Sequence, residues 1–206
     1  LSLPRAVAEF RRRRQQDKAS LALRDAWRLL QEGRYGHALR AAEKIPDDDP
    51  SAGILALAGW KAAHAMRDTA RRDEWAARLR AAGGRKLEAA RLMTEAEFDL
   101  DDRRFEDARI ALNQFAAREG RHIAALRLSL RAEQGLGNWR EVARLVRQLE
   151  KHQALTVEQA APIRARALRE ALRGLRDDAA GLMRYWRELD EADRAHPALA
   201  LETARA

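Results

Sequence analysis

Histidines, serines and paired carboxylates are the side chains in this sequence with the means to do metal, nucleophilic or acid–base chemistry, and their spacing decides whether they can act together. The five histidines, His37, His64, His122, His152 and His196, are widely separated. None lies in the H-E-x-x-H spacing that turns two imidazoles of one helix toward a metal ion. No serine occupies a G-x-S-x-G elbow. Gly135-Leu136-Gly137 has part of the glycine pattern of a dinucleotide loop, but no strand precedes it and the third glycine is missing, so it reads as a helix–helix turn. Asp47-Asp48-Asp49 falls in a proline-flanked loop and Asp101-Asp102 at a helix end. The absence of cysteine removes disulfides and thiolate metal ligands. No catalytic constellation emerges, and the expectation is a protein that is not an enzyme and holds no metal.

With no site to position, surface and charge become the informative features. The formal charge is +8, and residues 1–40 hold ten Arg/Lys against four Asp/Glu, so +6 of it lies there. Its densest part is the run Arg11-Arg12-Arg13-Arg14. Three readings are open for this run: a solvated helical or frayed arm, a stretch next to a membrane, or an arm that binds nucleic acid. Elsewhere acids and bases interleave as on solvated helix faces. No run within the sequence reaches the roughly 18–20 apolar residues of a membrane span. The first residue is Leu1 and the last, Ala206, lies inside an apparent new helix, so both ends read as cuts through a longer protein.

The elements follow from apolar periodicity. Hydrophobic residues make up 46% of the chain while aromatics are only 5%, which suits closely packed helices with small side chains. Helices are predicted over 19–31 and 35–44, 51–66 and 70–82, 86–101 and 105–118, 121–135 and 139–151, each pair joined by a tight turn. Tyr35, Phe105 and Trp139 follow these turns at spacings of 70 and 34 residues, and 70 is two steps of 35. That is the period of tetratricopeptide (TPR) hairpins, so the fold class expected is all-α, a TPR-like helical-hairpin solenoid winding as a right-handed superhelix. Aligned on these aromatics, the second hairpin has Ala70 at its turn. The small position three residues on becomes Ala38, Asp73, Ala108 and Val142, and Asp73 predicts a distorted or wider crossing. Residues 1–18 form the basic arm, 19–152 four hairpins, and 153–206 less regular helices over 157–175, 178–193 and 199–206. Thr156 and Gln159 have capping-box spacing at the first of these.

In such a solenoid the first helix of each hairpin lines a concave groove. Counting back from each turn, the groove-facing candidates are Leu23 and Trp27, Ala58 and Ala62, Met93 and Glu97, and Arg127 and Arg131. The alternative for Trp27 and Met93 is burial against a neighbouring helix, and for the two arginines plain solvation.

Leu3-Pro4-Arg5 with Arg11-Arg12-Arg13-Arg14, then Arg71-Arg72-Asp73, Thr94-Glu95-Ala96-Glu97-Phe98, Gly137-Asn138-Trp139, Tyr185-Trp186 and His196-Pro197 occur in an order that resembles the HemY family. The family comprises inner-membrane TPR proteins associated with haem biosynthesis in proteobacteria, and the resemblance runs through most of the 206 residues. It implies two transmembrane helices upstream of Leu1 and a TPR body at the cytoplasmic face of the bacterial inner membrane. It also implies protein partners among the late haem-synthesis enzymes. Arginines just after a span independently favour the cytoplasmic side, where Arg11, Arg12, Arg13 and Arg14 meet anionic lipid, so nucleic acid is not an expected partner. No cofactor is required. If haem or porphyrin is contacted directly, His37, His64 and Met66 are the candidate axial ligands.

Overall fold

The computed structural model describes residues 3–120, 122–195 and 197–204, with the side chains of residues 3–6, 198, 201 and 202 outside the description. Arg121, the expected start of the seventh helix, and His196 of the expected helix stop therefore lie outside the described residues, as do the ends of the chain. Among the described residues every regular element is a helix. Two compact units divide within one of them, Leu1–Thr94 and Glu95–Ala206.

Unit 1 opens with α1 (Leu3–Gln31) and α2 (Tyr35–Ala42), continues through α3 (Ala52–Ala65) and α4 (Thr69–Ala82), and enters α5 (Arg85–Asp101). The basic arm is part of α1, a helix of 29 residues that runs on to Gln31. Helix α2 packs on α1 and α3, and α4 packs on α3. Unit 2 holds the end of α5, then α6 (Phe105–Glu119), α7 (Ile123–Leu136), α8 (Trp139–Lys151), α9 (Val157–Arg173), α10 (Ala179–Glu188), α11 (Glu191–Arg194) and α12 (Pro197–Ala204). There α7 packs on α6 and α8, while α9 packs on α8, α10 and α12.

The helices α1, α3, α5 and α7 close in the same way. A left-handed residue follows each, Gly33, Arg67, Arg103 and Gly137 in turn, at φ between 58° and 73° and at spacings of 34, 36 and 34. At each, the following N–H reaches back to a carbonyl five residues earlier: Arg34 to Leu29 (2.8 Å), Asp68 to Ala63 (3.1 Å), Arg104 to Asp99 (2.7 Å) and Asn138 to Glu133 (3.0 Å). The left-handed N–H meanwhile bonds to the carbonyl three residues before it, which completes the Schellman pair and satisfies carbonyls that the helix end would leave open. Glycine has no Cβ to clash in this conformation, whereas arginine bears a cost of about 1–2 kcal/mol there.

Aligned on the left-handed residue, the hairpins bury the same positions. Those eight, nine and twelve residues after it are buried in all four: Ala41, Ala42 and Ile45; Trp75, Ala76 and Leu79; Ala111, Leu112 and Phe115; Leu145, Val146 and Leu149. This alignment corrects the second hairpin by one residue. Its second helix starts at Thr69 and not Ala70, because the turn is Arg67-Asp68, with Asp68 accepting the Arg71 N–H at 3.0 Å as N-cap. The position equivalent to Ala38 is then the half-buried Arg72, and Asp73 points into solvent, so it imposes no wider crossing. Likewise Ala58 and Ala62 are fully buried, which removes them from any groove, and their one-residue-earlier neighbours Leu57 and Lys61 are the true equivalents of Leu23 and Trp27.

The later helices partly follow expectation. Thr156 Oγ1 accepts the Gln159 N–H (3.3 Å) and Gln159 Oε1 accepts the Thr156 N–H (3.1 Å), the capping box expected at the start of α9. The single helix expected over 178–193 is instead interrupted. Leu189 is extended and buried, and Asp190 takes the Asp193 N–H (3.1 Å) to start α11.

Two predictions arise from the backbone. A Cβ on Gly59 would lie 2.5–2.7 Å from the ring of Trp75, itself only 2% exposed. Gly59→Ala should therefore lower stability by about 1–2 kcal/mol, since overpacking of about 1–3 kcal/mol outweighs the helix propensity gained. Gly36→Ala, whose Cβ would meet only the tip of Arg40 at 4.0 Å, should be neutral or stabilising in the same urea titration. Arg103→Gly should raise stability by up to about 1 kcal/mol, as left-handed strain is relieved and glycine's unfolded-state entropy offsets part of the gain. A lower melting temperature for that variant would contradict the strain assigned to Arg103.

Candidate functional site

Of the carboxylates flagged as chemically able, Asp47, Asp49 and Asp102 are engaged at turns. Asp47 takes both Arg78 Nε (2.8 Å) and Nη2 (2.6 Å), Asp49 is buried and accepts the Ser51 N–H (2.8 Å), and Asp102 pairs with Arg104 (3.1 Å). Arg78 at the same time lies over the Trp75 ring at 4.3 Å, fastening the 47–50 loop to α4. Of the imidazoles, His64 is buried in α3 and His37 is exposed on α2, while Met66 is 44% exposed just past the end of α3. His122 packs edge-on to Phe115 with centroids 5.8 Å apart. Among the described residues no group of three or more His, Asp or Glu side chains is placed to hold a metal ion.

The sequence-derived surface residues are distributed as follows. In unit 1, Leu23 and Trp27 of α1 and Met93 of α5 are half-buried. Arg11, Arg12, Arg13 and Arg14 are all exposed on α1, and at 100° per residue they encircle the helix rather than lining one side. Val7 (45%) and Phe10 (66%) are exposed beside them. In unit 2, Glu97 is half-buried on α5, and Arg127 and Arg131 are exposed on α7. Arg127 Nη2 donates to the Ala154 carbonyl (2.9 Å), and Arg131 pairs with Asp101 at 3.6 Å. Among the described residues no helix is long and apolar enough to cross a membrane.

Unit 2 also contains polar structure that the sequence reading did not single out. At the third and fourth turns the residue whose carbonyl closes the Schellman loop is an acid, and its carboxylate also grips the residue after the left-handed position. Arg104 donates to Asp99 through Nη2 (2.5 Å) and Nε (3.1 Å), and Asn138 Nδ2 donates to Glu133 Oε2 (2.6 Å). Both acids are buried. Burial pushes the Asp99 carboxyl above the usual range, against the opposing pull of Arg104, and the hydrogen bond to Asp99 raises the Arg104 guanidinium in turn.

A second network ties α8 and α9 to α11. Arg147 Nη2 lies 2.7 Å from Asp193 and 3.3 Å from Asp190, while Arg164 meets Asp193 at 3.2 Å and Glu150 at 3.5 Å. Asp193 is 5% exposed, and desolvation holds its carboxyl high despite both arginines. At Asp190 burial acts upward too, but the Asp193 N–H and the arginines prevail and the carboxyl is lowered. The Nε of Arg147 is buried without a hydrogen-bond partner.

Beside this network a recess of about 340 Å³ opens among α8, α9 and α10, lined by Arg140, Arg144, Arg147 and Lys151, by Ala143, Leu168, Tyr185 and Leu189, and by Gln148 and Glu188. Arg140 sits over the Tyr185 ring at 4.2 Å. The signal that would have found it is the segregation of α8: its cations occur at steps of four, three and four, while Val142, Ala143, Leu145, Val146 and Leu149 are all buried. A smaller cavity of about 220 Å³ between α6, α7 and α8 is of mixed lining, with Arg109, His122, Ser129 and Glu133 among its walls.

Residues 1–67 match the family model described as HemY protein N-terminus. That stretch lies in unit 1 and takes in α1, α2, α3 and the second left-handed turn residue. No curated protein and no solved structure matches the chain.

The buried acids generate a pH prediction. A carboxyl whose native pKa stands above its unfolded value takes up its proton more readily in the folded state. Its ionisation therefore removes stability as pH rises from the ordinary value of 3.8 through the raised native one. Asp99→Asn should flatten the fall in stability across that interval when urea unfolding is followed at a series of pH values. An unchanged pH slope would show that Asp99 titrates as an ordinary carboxylate.

Proposed function

We propose, from the premise that the chain belongs to the HemY family through its first 67 residues, that it is a non-catalytic adaptor. In this reading the chain is a TPR-like solenoid, held at the cytoplasmic face of the inner membrane in the full-length protein. It organises late enzymes of haem (porphyrin) biosynthesis. The observation that carries the reading is the recurrence of one turn at 34, 36 and 34 residues with the same buried positions behind it. Arrays of like hairpins present continuous surface and bind other proteins by it. The carboxylates best able to act as acids or bases are engaged in turns and helix packing, which supports a binding role over a catalytic one.

The membrane part of the reading rests on α1. Four encircling arginines and the exposed Val7 and Phe10 suit the headgroup layer of an anionic leaflet, with about 1 kcal/mol from each cation near the surface. Nucleic acid is a poorer fit, because the cations of the arm are concentrated in one short run, Arg11 to Arg14.

Two experiments test the two parts. The full-length protein, tagged and recovered from native membranes, should enrich haem-pathway enzymes over an unrelated membrane protein carrying the same tag. The 206-residue chain should float with phosphatidylglycerol vesicles and not with phosphatidylcholine vesicles, and replacing Arg11 through Arg14 by glutamine should abolish flotation. Recovery of no haem-pathway enzyme above background would end the adaptor reading, and charge-independent flotation would end the lipid role of the arm.

A further inference from the structure

The charge of the chain divides at the unit boundary. Residues 95–206 contain twenty Arg/Lys and twenty Asp/Glu, so the whole formal excess of +8 belongs to unit 1. In the electrically neutral unit 2, cations left unanswered by acids are a local feature and not a consequence of general basicity.

The recess beside α8 is where they collect. Arg147 is turned into the Asp190–Asp193 network and Arg144 pairs with Glu141 one turn back. Arg140 stands over Tyr185, and neither it nor Lys151 is in an ion pair among the described residues. Glu188 is the one acid in the lining. Eleven residues of helix separate Arg140 from Lys151, about 16 Å along the axis, which is the length of about five residues of extended chain. A lone phosphate or carboxylate spans only one end of that distance. The lining also holds apolar side chains, among them Tyr185 and Leu189, both largely buried, so a small apolar surface accompanies the cations. A nucleic-acid strand would put phosphates along the cations but has no use for an apolar surface, and a neutral unit provides no field to draw it in.

We propose that this recess binds an extended acidic peptide segment of a protein partner, its carboxylates meeting Arg140 and Lys151 and an apolar side chain between them resting on Tyr185 and Leu189. The proposal rests on the adaptor reading and adds to it the chemistry of what is bound and where. Arg144 serves both states: it is released from Glu141 when a competing carboxylate arrives. Arg140 and Lys151 both belong to α8, so the helix itself holds the two ends of the recess at their spacing without the peptide, and the network behind ties α11 to it.

The probe is a fluorescein-labelled hexapeptide that alternates glutamate and leucine, titrated with the 206-residue chain and followed by fluorescence anisotropy. Saturable binding is expected, weakened at least about tenfold by the double change Arg140→Glu and Lys151→Glu. Arg184→Glu, the same charge reversal on the exposed side of α10, should leave it within about twofold. All variants should show the helical circular dichroism of the parent. The proposal is overturned if the hexapeptide does not saturate, or if the double variant binds as well as the parent. It is equally overturned if inorganic phosphate competes as effectively as unlabelled peptide, or if a short DNA duplex binds more tightly. None of these outcomes bears on the adaptor reading, which stands or falls on recovery of enzymes from membranes.

Discussion

The fold depends on a backbone requirement: each first helix must end in one left-handed residue, after which the chain can reverse and lay a second helix back on the first. Gly33 and Gly137 meet the requirement without strain, while Arg67 and Arg103 meet it against their own preference. What keeps the strained turns is the packing they enable. Beyond Arg67 lies Trp75, buried against Gly59, and beyond Arg103 lie Ala111, Leu112 and Phe115. Burying a large side chain contributes about 1.5–3 kcal/mol, more than one left-handed residue costs.

At the third and fourth turns side-chain chemistry reinforces the reversal. Arg104 follows the strained Arg103, and its guanidinium bonds back to Asp99, on whose carbonyl its own N–H already closes. Asn138 does the same to Glu133 after Gly137, although no strain exists there. The first two turns have Leu29 and Ala63 at this place, so they close through the backbone bonds without a carboxylate grip from that residue. A second, side-chain hydrogen bond to the same residue fixes the exit direction of the second helix more firmly than backbone pairing by itself, and at Arg104 it comes from a charged planar fork.

Much of this arrangement was legible. Glycine marks two of the four left-handed positions, and the apolar spacing after them gives helix boundaries to within a few residues. The exceptions have physical reasons. Arg67 has no sequence signature of a left-handed residue, so the repeat frame there rests on the aromatic after the turn, and where Thr69 replaces that aromatic the frame shifts by one. A slip of one residue is 100° on a helix, enough to move Ala58 and Ala62 from core to groove. The break at Leu189 was hidden because Asp190 can be read either as an exposed helix residue or as an N-cap. The basic recess was hidden for another reason: it needs Tyr185, and no local pattern says that a residue 45 positions after Arg140 lies beneath it.

Residues 7–18 of α1 are exposed throughout, so about 18 Å of helix stands clear of the packing that begins at Ala19. An isolated helix of that length would be marginal in water, and its order is borrowed from the packed continuation through Gln31. It is therefore a stalk rather than a string: a body joined through it keeps a set distance and bearing, where a flexible linker of equal length would let it wander. The collar of arginines at its middle has no preferred side. The stalk can roll about its own axis without changing how strongly a negatively charged plane attracts it, so attraction fixes how close the body comes while leaving its rotational facing to other contacts.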